Sequence, residues 1–372
     1  MKETIGSLLM TELLKKAEQG NARTQSFLGD YYRFSCDTAK DEQKAVEWYL
    51  KAAEQGDKQA SICLGDCYFD GIGANQDYKK AFKWYQEAAK LGDIKSMYLV
   101  GYCYKYGYGV RKNYKRAAKW YQKAATAKVW NIWDYDDYQI MAQFCLGLCY
   151  DNGEGVNQDD KEAVKWYQEA AIEGHAGAQN NLGLCYELGD GVDQDYKKAV
   201  KWYREAAKCG GDKYGQCNLG RCFYFGNGVK QDYKKAAKWY RKAAEQGHAD
   251  AQYRLGLCYR NGEGVIQNDK KGAMWYRKAA EQGHASAQNN LGVCYDEGKG
   301  VTQDYKEAVK WYRRAAKQGA EYAQYNLGKC YQYGDGVRQD QKEAVDWFLK
   351  AEENGHPSAT EALNEIRSIR YN

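Results

Sequence analysis

The chain of 372 residues carries 55 basic and 50 acidic side chains, which give a formal net charge of +5. This charge is small for the length and shows no long run of one sign, so it gives no electrostatic argument for nucleic acid or an anionic membrane as a partner. The N-terminus mixes acidic residues with short apolar stretches, and no stretch approaches the ~18 apolar residues of a membrane span. We therefore expect a cytoplasmic protein without a signal peptide or membrane insertion.

A Trp-Tyr pair recurs along the chain and marks a repeated unit. Successive pairs lie 36 or 37 residues apart, except for one step of 46 between Trp120 and Trp166. A fixed period of about 20–50 residues is typical of a solenoid, in which each unit packs mainly on its neighbours. The pairs are Trp48-Tyr49, Trp84-Tyr85, Trp120-Tyr121, Trp166-Tyr167, Trp202-Tyr203, Trp239-Tyr240, Trp275-Tyr276, Trp311-Tyr312 and, altered, Trp347-Phe348.

This period predicts one continuous domain over residues 1–372, because a solenoid grows by addition and needs no domain boundary. Residues 1–20 are expected to form an N-terminal capping helix. Nine repeats follow over 21–356, and residues 357–372 are expected to form a C-terminal capping helix with a polar outer face.

Residues 249–284 illustrate the repeated unit. Apolar and small residues around Leu255 recur at helical spacing and predict a first helix, helix A, which ends at a Gly-x-Gly turn that begins with Gly262. A second helix, helix B, is predicted to begin at Asp269, whose carboxylate can accept hydrogen bonds from free N–H groups of the first turn. Gly283 suits the end of helix B because glycine readily adopts positive φ.

Small residues face large ones between the two helices. Gly256 and Ala279 leave room, which we expect Tyr259 and Trp275 to fill, as close packing of antiparallel helices requires. No Val/Ile-rich alternating stretch is present, so we assign no strand. The predicted fold class is all-α, an αα-hairpin repeat solenoid.

The repeated pattern Ala-x-x-x-Leu-Gly-x-x-Tyr-x-x-Gly-x-Gly-Val-x-x-Asp-x-x-Lys-Ala-x-x-Trp-Tyr-x-x-Ala-Ala-x-x-Gly is almost complete from Ala178 to Gly210 and from Ala287 to Gly319. At these residues the chain resembles the Sel1-like repeat family, which is related to the tetratricopeptide repeats. The resemblance covers roughly residues 20–356. It implies a right-handed superhelix whose helix A lines the concave side, and use as an adaptor or scaffold for other proteins.

Eight cysteines occupy one position of the repeat, beside the core tyrosine of helix A. The simplest interpretation is a small buried hydrophobic residue. Equivalent positions on stacked helices lie about 8–10 Å apart, beyond the ~7 Å limit for a disulfide, and too few ligands surround them for zinc. These cysteines are Cys67, Cys103, Cys149, Cys185, Cys222, Cys258, Cys294 and Cys330.

Cys209 and Cys217 lie eight residues apart at a junction between helix B and helix A. The bacterial cysteine-rich branch of the Sel1-like family has disulfides with a similar separation, displaced here by one position. The resemblance leaves a Cys209–Cys217 disulfide open, although free thiols in a reducing compartment are favoured.

All four histidines, His175, His248, His284 and His356, follow the glycine that ends a helix B. A catalytic histidine would occupy one special place, so we interpret these as turn residues of the repeat. No Ser-His-Asp, paired-carboxylate or HExxH arrangement stands out from the repeat. We therefore predict no enzyme activity, no metal and no cofactor.

The candidate binding residues lie on helix A beside its Leu-Gly pair. Just before this pair the C-terminal half carries mostly asparagine, which donates and accepts at once and can hold the backbone of an extended peptide. Just after the pair, the side chains change from acidic (Asp30, Asp66) through apolar to basic (Lys329). The alternative is a solvated helix face. The predicted protein-binding residues are Asn181, Asn218, Arg254, Asn290 and Asn326, with Tyr98, Tyr102, Phe144, Tyr253 and Tyr325 as aromatic anchors.

The long step of 46 residues places about ten extra residues within 128–140, between one helix B and the next helix A. Insertions in repeats usually map to loops, and such loops often carry function. Trp130, Trp133 and Tyr135 make this insert a candidate partner-binding element. The alternative is a helix extension whose aromatic residues pack on neighbouring repeats.

These observations favour a non-enzymatic scaffold that binds a protein or an extended peptide on its concave helix-A surface. One alternative is an exported, disulfide-containing protein that acts at a surface. A second alternative is a nucleic-acid-binding helical repeat, which would need a continuous basic stripe that the sequence does not show.

Overall fold

The computed structural model describes residues 2–34, 41–128, 137–208 and 211–370. Over these ranges the chain forms twenty α-helices and no strand, which confirms the all-α fold class. The helices are α1 (Lys2–Glu18), α2 (Ala22–Phe34), α3 (Glu42–Glu54), α4 (Lys58–Asp70), α5 (Tyr78–Lys90), α6 (Ile94–Tyr106), α7 (Tyr114–Ala125), α8 (Asp137–Asn152), α9 (Asp160–Ile172), α10 (Ala176–Leu188), α11 (Tyr196–Lys208), α12 (Lys213–Phe225), α13 (Tyr233–Glu245), α14 (Ala249–Asn261), α15 (Asp269–Glu281), α16 (Ala285–Glu297), α17 (Tyr305–Ala316), α18 (Glu321–Tyr333), α19 (Gln341–Glu353) and α20 (Ala359–Arg370).

The helices belong to two compact units, Met1–Asp193 and Gln194–Asn372. In the first unit α1 packs on α2, α2 to α9 form four helical hairpins, and α10 packs on α9. In the second unit α11 packs on α12, α12 to α19 form four more hairpins, and α20 packs on α19. The single domain over 1–372 and the right-handed superhelix stay predictions. None of the described helices is both long and apolar enough to cross a membrane.

A short polar side chain caps the start of helix B, as the sequence predicted. Asp232 and Asp304 accept hydrogen bonds from the third backbone N–H of α13 and α17. Helix α15 begins at Asp269, as predicted, but its cap is Asn268, so the capping role predicted for the Asp269 carboxylate was wrong. Asn268 has extended φ and ψ of −159° and 97° and accepts from the Lys271 N–H at 2.9 Å, and asparagine caps a helix about as well as aspartate.

The second aromatic residue of each Trp-Tyr pair, not the first, fills the space beside the helix-A glycine. A Cβ on Gly256 would lie 2.6 Å from the ring of Tyr276, and Tyr276 is fully buried. The expectation that Trp275 fills this space was therefore wrong. The Lys278 ammonium lies 4.5 Å from the centre of the Trp275 ring, so the tryptophan packs at the outer side of the core. The Tyr49, Tyr85, Tyr121, Tyr167, Tyr203, Tyr240, Tyr312 and Phe348 side chains are buried in the same way.

A row of buried glutamines on helix A, which sequence reasoning missed, joins successive repeats. Gln252 donates from Nε2 to the Ala244 carbonyl at 3.0 Å. Its Oε1 accepts from Gln282 Nε2 at 2.7 Å, so one amide connects helix B of the preceding repeat to helix B of its own. A buried amide satisfied on both sides favours one register between neighbouring helices. The same double contact is made by Gln25, Gln216, Gln288 and Gln324.

Candidate protein-binding surface

In the first unit the buried tyrosine of helix B points its hydroxyl towards helix A of the same hairpin. Tyr49 donates to Asp30 at 2.7 Å, and Tyr85 donates to Asp66 at 2.9 Å. Both aspartates are half-buried and directly follow a Leu-Gly pair. The acidic residues seen in the sequence at this position therefore satisfy core hydroxyl groups.

The hairpin of α6 and α7 lacks this arrangement. Tyr102 occupies the position that Asp30 and Asp66 occupy in the earlier hairpins. The Tyr121 hydroxyl is buried and has no hydrogen-bond partner within the described part of the chain. An unpaired buried hydroxyl costs about 1–3 kcal/mol. Tyr240 in α13 is in the same state, with Arg221 in place of the aspartate.

Four tyrosines, which we call the tyrosine patch, surround this point: Tyr98, Tyr102, Tyr106 and Tyr108. The first three lie four residues apart on α6 and therefore share one face of the helix. The ring centres of Tyr98 and Tyr102 are 6.3 Å apart, those of Tyr102 and Tyr106 4.5 Å apart, and Tyr108 stacks on Tyr102 at 5.8 Å. Tyr106 is 53% exposed and the other three are half-buried. The predicted anchors Tyr98 and Tyr102 are therefore brought together with Tyr106 and Tyr108.

The lysines beside the tyrosine patch are paired with carboxylates. Lys95 Nζ lies 2.8 Å from Asp66, which also accepts from a tyrosine hydroxyl. Lys105 Nζ lies 2.9 Å from Glu154. All four charged groups are largely shielded from solvent, so each ion pair neutralises the local charge and leaves an aromatic, hydroxyl-bearing surface.

The described end of the insert packs against this patch. The Tyr138 ring centre lies 5.7 Å from that of Tyr98, and Gln139 Nε2 donates to the carbonyls of Ala125 and Ala127 at 3.1 and 3.0 Å. The start of α8 is thus fixed to the end of α7 and to the tyrosine patch. The predicted partner-binding residues Trp130, Trp133 and Tyr135 lie outside the described residues, and their role stays a prediction.

The other predicted residues of the first unit, Phe144 and Asn181, lie near the Tyr167 side chain. The Phe144 ring centre is 4.4 Å from that of His175 and 6.0 Å from that of Tyr167. Asn181 is half-buried and accepts from Asn180 Nδ2 at 3.2 Å. These two residues therefore contribute to packing between repeats as well as to the surface.

In the second unit, Asn290 and Asn326 belong to one chain of amides that crosses from α16 to α18. Asn326 Nδ2 donates to Asn289 Oδ1 at 3.1 Å, and Asn289 Nδ2 donates to Asn290 Oδ1 at 3.3 Å. We call Asn289, Asn290 and Asn326 the asparagine ladder. All three side chains are half-buried, as is the predicted residue Asn218 in α12.

Arg254 forms an ion pair within α14. Its Nε lies 2.7 Å from Asp250 Oδ2, and the same carboxylate accepts from Cys217 Sγ at 3.4 Å and faces His284 Nε2 at 3.7 Å. Burial acts to raise the pKa of the Asp250 carboxyl, but hydrogen bonds from His284 and Arg254 outweigh it and hold this pKa far below its usual range. The carboxylate thus connects three successive helices A, and the Arg254 charge is compensated.

The predicted anchors Tyr253 and Tyr325 stack on histidines of the next repeat. The ring centres lie 4.8 Å apart for Tyr253 and His284, and 4.1 Å apart for Tyr325 and His356. His284 also caps α16, because its Nδ1 accepts from a backbone N–H at 3.2 Å. His175 and His248 cap α10 and α14 in the same way. The histidines are therefore turn residues that help to hold successive repeats together. One face of each of the Tyr253 and Tyr325 rings packs on a histidine and is not available to a partner.

The repeated cysteines are buried or, at Cys185, half-buried, which confirms their interpretation as small core residues. Burial raises the pKa of Cys67 to about 11 and that of Cys258 to about 12. Cys209 lies outside the described residues, so a disulfide with Cys217 stays a prediction. Within the described ranges, no group of three or more His, Cys, Asp or Glu side chains is placed to hold a metal ion.

Comparison with known families identifies the repeat. A family model described as the Sel1 repeat matches nine segments that together cover most of the chain. The chain belongs to the Sel1 repeat family. The matched segments are 22–57, 63–93, 94–129, 140–175, 176–211, 213–248, 249–284, 285–319 and 321–356.

Solved structures of Sel1 repeat proteins resemble the chain over most of its length. One is c5321, described as a protective antigen present in uropathogenic Escherichia coli strains displaying an SLR fold, with 34% identity, a TM-score of 0.69, and coverage of 96% of this chain and 82% of that chain. Another is a Sel1 repeat protein from Oxalobacter formigenes, with 32% identity, a TM-score of 0.63, and coverage of 86% and 89%. No curated protein matches the chain. Sel1 repeat proteins generally mediate protein–protein interaction and are typically non-catalytic.

Proposed function

We propose that this Sel1 repeat protein is a non-enzymatic scaffold that binds a protein or an extended peptide on the half-buried face of its A helices. The observation that carries this proposal is the asparagine ladder. Its side chains belong to the A helices of two successive repeats, α16 and α18, and are joined by hydrogen bonds across the repeat boundary. A polar row that runs from repeat to repeat offers the same chemistry at regular intervals to a chain lying across it.

The ladder suits a peptide backbone because each amide can donate and accept a hydrogen bond. Packed helices lie about 8–10 Å apart, and an extended chain advances ~3.3 Å per residue. Successive ladder positions would therefore meet about every third residue of a bound peptide. Tyr253 and Tyr325 stand one residue before the Arg254 and Asn326 positions and would add apolar contact with their uncommitted faces.

The test compares partner binding by a variant of the asparagine ladder with partner binding by a variant of an exposed asparagine outside the ladder. The double variant Asn290→Ala with Asn326→Ala removes two amides, and Asn75→Ala removes an exposed amide from the turn after α4. A partner is first captured from native lysate with the wild-type chain, identified by mass spectrometry and purified, and its affinity for each variant is then measured by calorimetry.

We expect the double variant to bind this partner at least tenfold more weakly, since two lost hydrogen bonds amount to about 1–3 kcal/mol. Asn75→Ala should bind as the wild type does, and the helical circular dichroism of all variants should agree. Unchanged affinity of the double variant would exclude the ladder as the binding surface. Asn181→Ala, made separately, tests the equivalent position of the first unit.

We also infer a cytoplasmic location from the thiols. The eleven cysteines within the described ranges are free, as expected for a reducing compartment. Alkylation in denaturant should count 13 free thiols in protein isolated from its native cells without reductant. A count of 11 would instead indicate one disulfide and favour the exported alternative.

A further inference from the structure

We propose that the tyrosine patch binds a proline-rich segment of a partner in the extended polyproline II conformation. This inference rests on the proposed function and gives the chemical class of ligand for the first unit. It concerns aromatic side chains of α6 and the turn after it, which are not part of the asparagine ladder. Tyr98, Tyr102, Tyr106 and Tyr108 form one connected group of rings with an exposed edge at Tyr106.

The spacing of the rings suits this ligand. A polyproline II helix has three residues per turn and rises ~3.1 Å per residue, so residues three apart share one face and lie about 9 Å apart. Tyr98 and Tyr106 are eight residues apart on α6 and therefore about 12 Å apart along its axis. The row of rings is thus long enough to contact two residues on one face of a polyproline helix. Proline rings pack well on aromatic faces, and the preformed extended helix loses little entropy on binding.

The hydrogen-bonding character of the patch also suits a proline-rich chain. Each tyrosine hydroxyl can donate a hydrogen bond. A proline segment offers carbonyl acceptors and has no N–H groups, so no donor of the ligand is left unpaired when it docks on a surface rich in donors. Aromatic residues that carry a hydroxyl group are therefore better partners for it than purely apolar ones.

The charges beside the patch favour a neutral ligand over the other ligands that stack on aromatic rings. A nucleic acid needs free cations for its phosphates, but Lys95 and Lys105 are held by Asp66 and Glu154 at 2.8 and 2.9 Å. A sugar needs polar side chains that accept from its hydroxyls. The Asp66 carboxylate already accepts from Lys95 and from Tyr85.

Tyr102 indicates that the patch is kept at a cost in stability. It stands where Asp30 and Asp66 accept from the core tyrosines of the two preceding hairpins, and the Tyr121 hydroxyl beneath it has no partner among the described residues. An aspartate here would satisfy that hydroxyl. Tyr102 thus gives up the hydrogen bond that an aspartate makes at this position and presents a half-buried ring to the patch instead.

The test uses the full-length protein and the uncharged probe acetyl-decaproline-amide, with binding followed by calorimetry and intrinsic fluorescence. Tyr106→Ala removes the most exposed ring of the patch. Its matched control is Tyr333→Ala, which removes a ring that is 58% exposed at the equivalent position of α18. Tyr102→Asp removes a second ring while supplying an acceptor for Tyr121. Oligo-deoxythymidine and cellohexaose serve as comparison ligands.

We expect saturable binding of decaproline by the wild type and by Tyr333→Ala. Tyr106→Ala and Tyr102→Asp should bind it with an affinity at least about tenfold lower than that of the wild type. Tyr102→Asp should keep the wild-type helical signal and should not lower the thermal midpoint, because the new carboxylate can accept from the Tyr121 hydroxyl; this separates loss of recognition from loss of fold. The proposal is overturned if decaproline does not bind below about 1 mM, if both alanine variants lose affinity equally, or if only a comparison ligand binds. Such failure leaves the scaffold proposal intact when the asparagine ladder variants still lose their captured partner.

Discussion

The second glycine of the Gly-x-Gly turn gives the sharpest test of how successive repeats pack. Gly264 has φ of +71°, and a Cβ built on it would lie 2.0 Å from the Tyr233 carbonyl oxygen at the start of α13. Gly283, after α15, has φ of +91°, and a Cβ there would meet nothing within 4 Å. Gly264→Ala and Gly283→Ala therefore share the backbone strain but differ in the contact.

The two substitutions should differ by the cost of that contact. An alanine in the left-handed region costs about 1–2 kcal/mol, which both variants incur. Gly264→Ala adds an overlap with backbone atoms, which cannot rotate away as a side chain can, at a further cost of about 1–3 kcal/mol. We expect losses of about 1–2 kcal/mol for Gly283→Ala and about 2–5 kcal/mol for Gly264→Ala.

Urea unfolding followed by circular dichroism measures this difference, provided that the slopes of the transitions agree. Repeat arrays can lose two-state behaviour, so hydrogen exchange of α13 and α14 is needed as a second, local measurement. Gly264→Ala should accelerate exchange at the start of α13. Equal losses in both variants would refute the reasoning, because positive φ alone would then account for the glycine.

Three further predictions concern buried polar groups. Gln252→Leu should lower the free energy of unfolding by about 1–3 kcal/mol, since it leaves two hydrogen-bond partners unpaired, whereas the exposed Gln267→Leu should change it little. Tyr121→Phe should be neutral or stabilising, because its hydroxyl has no hydrogen-bond partner in the part of the chain that the structure describes. Tyr85→Phe should cost about 1.5–3 kcal/mol through its lost bond to a carboxylate; equal effects in urea unfolding would contradict this contrast. Burial lowers the pKa of His248 below its unfolded value of about 6.5, so its stabilising effect is complete above that pH and is lost as pH falls through the lower, folded value. Urea midpoints measured between about pH 7.5 and 5 should therefore fall less steeply for His248→Asn, which keeps a helix cap that does not titrate; an unchanged slope would exclude this role.

The repeat pattern predicted the helices well, but it did not show which of two adjacent residues packs in the core or caps a helix. The Trp-Tyr pair located helix B, yet consecutive residues on a helix point about 100° apart. Only the contact between Tyr276 and Gly256 shows that the tyrosine faces inward. The sequence also could not distinguish Asn268 from Asp269 as the cap of α15. Both side chains can cap a helix, and only the backbone angles show which of them does so.

Contacts between repeats were the part that the sequence could not supply. From the sequence alone Gln252 would be interpreted as a polar surface residue. The structure shows that it bonds to the Ala244 carbonyl and the Gln282 amide. The available signal was the joint recurrence of Ala-Gln before the Leu-Gly pair and of Gln before the glycine that ends helix B. Likewise, the stacking of Tyr253 on His284 depends on the phase between neighbouring hairpins, which a repeat period alone does not give.

The position after the Leu-Gly pair connects the stability of the core with the proposed recognition by the tyrosine patch. Where it is Asp30 or Asp66, the core tyrosine hydroxyl is satisfied and the aspartate has its oxygen committed to the interior. Where it is Tyr102, the Tyr121 hydroxyl below has no partner within the described ranges, and the Tyr102 side chain joins an aromatic group at the surface. Under the proposal that the tyrosine patch binds a proline-rich segment, one changed helix-A residue gives a regular array a distinct binding surface, because the remaining contacts of the repeat keep the backbone in place. We therefore expect Tyr102→Asp to raise stability and to weaken binding at the patch, whereas substitutions of the buried glutamines should lower stability without changing the partner that is bound.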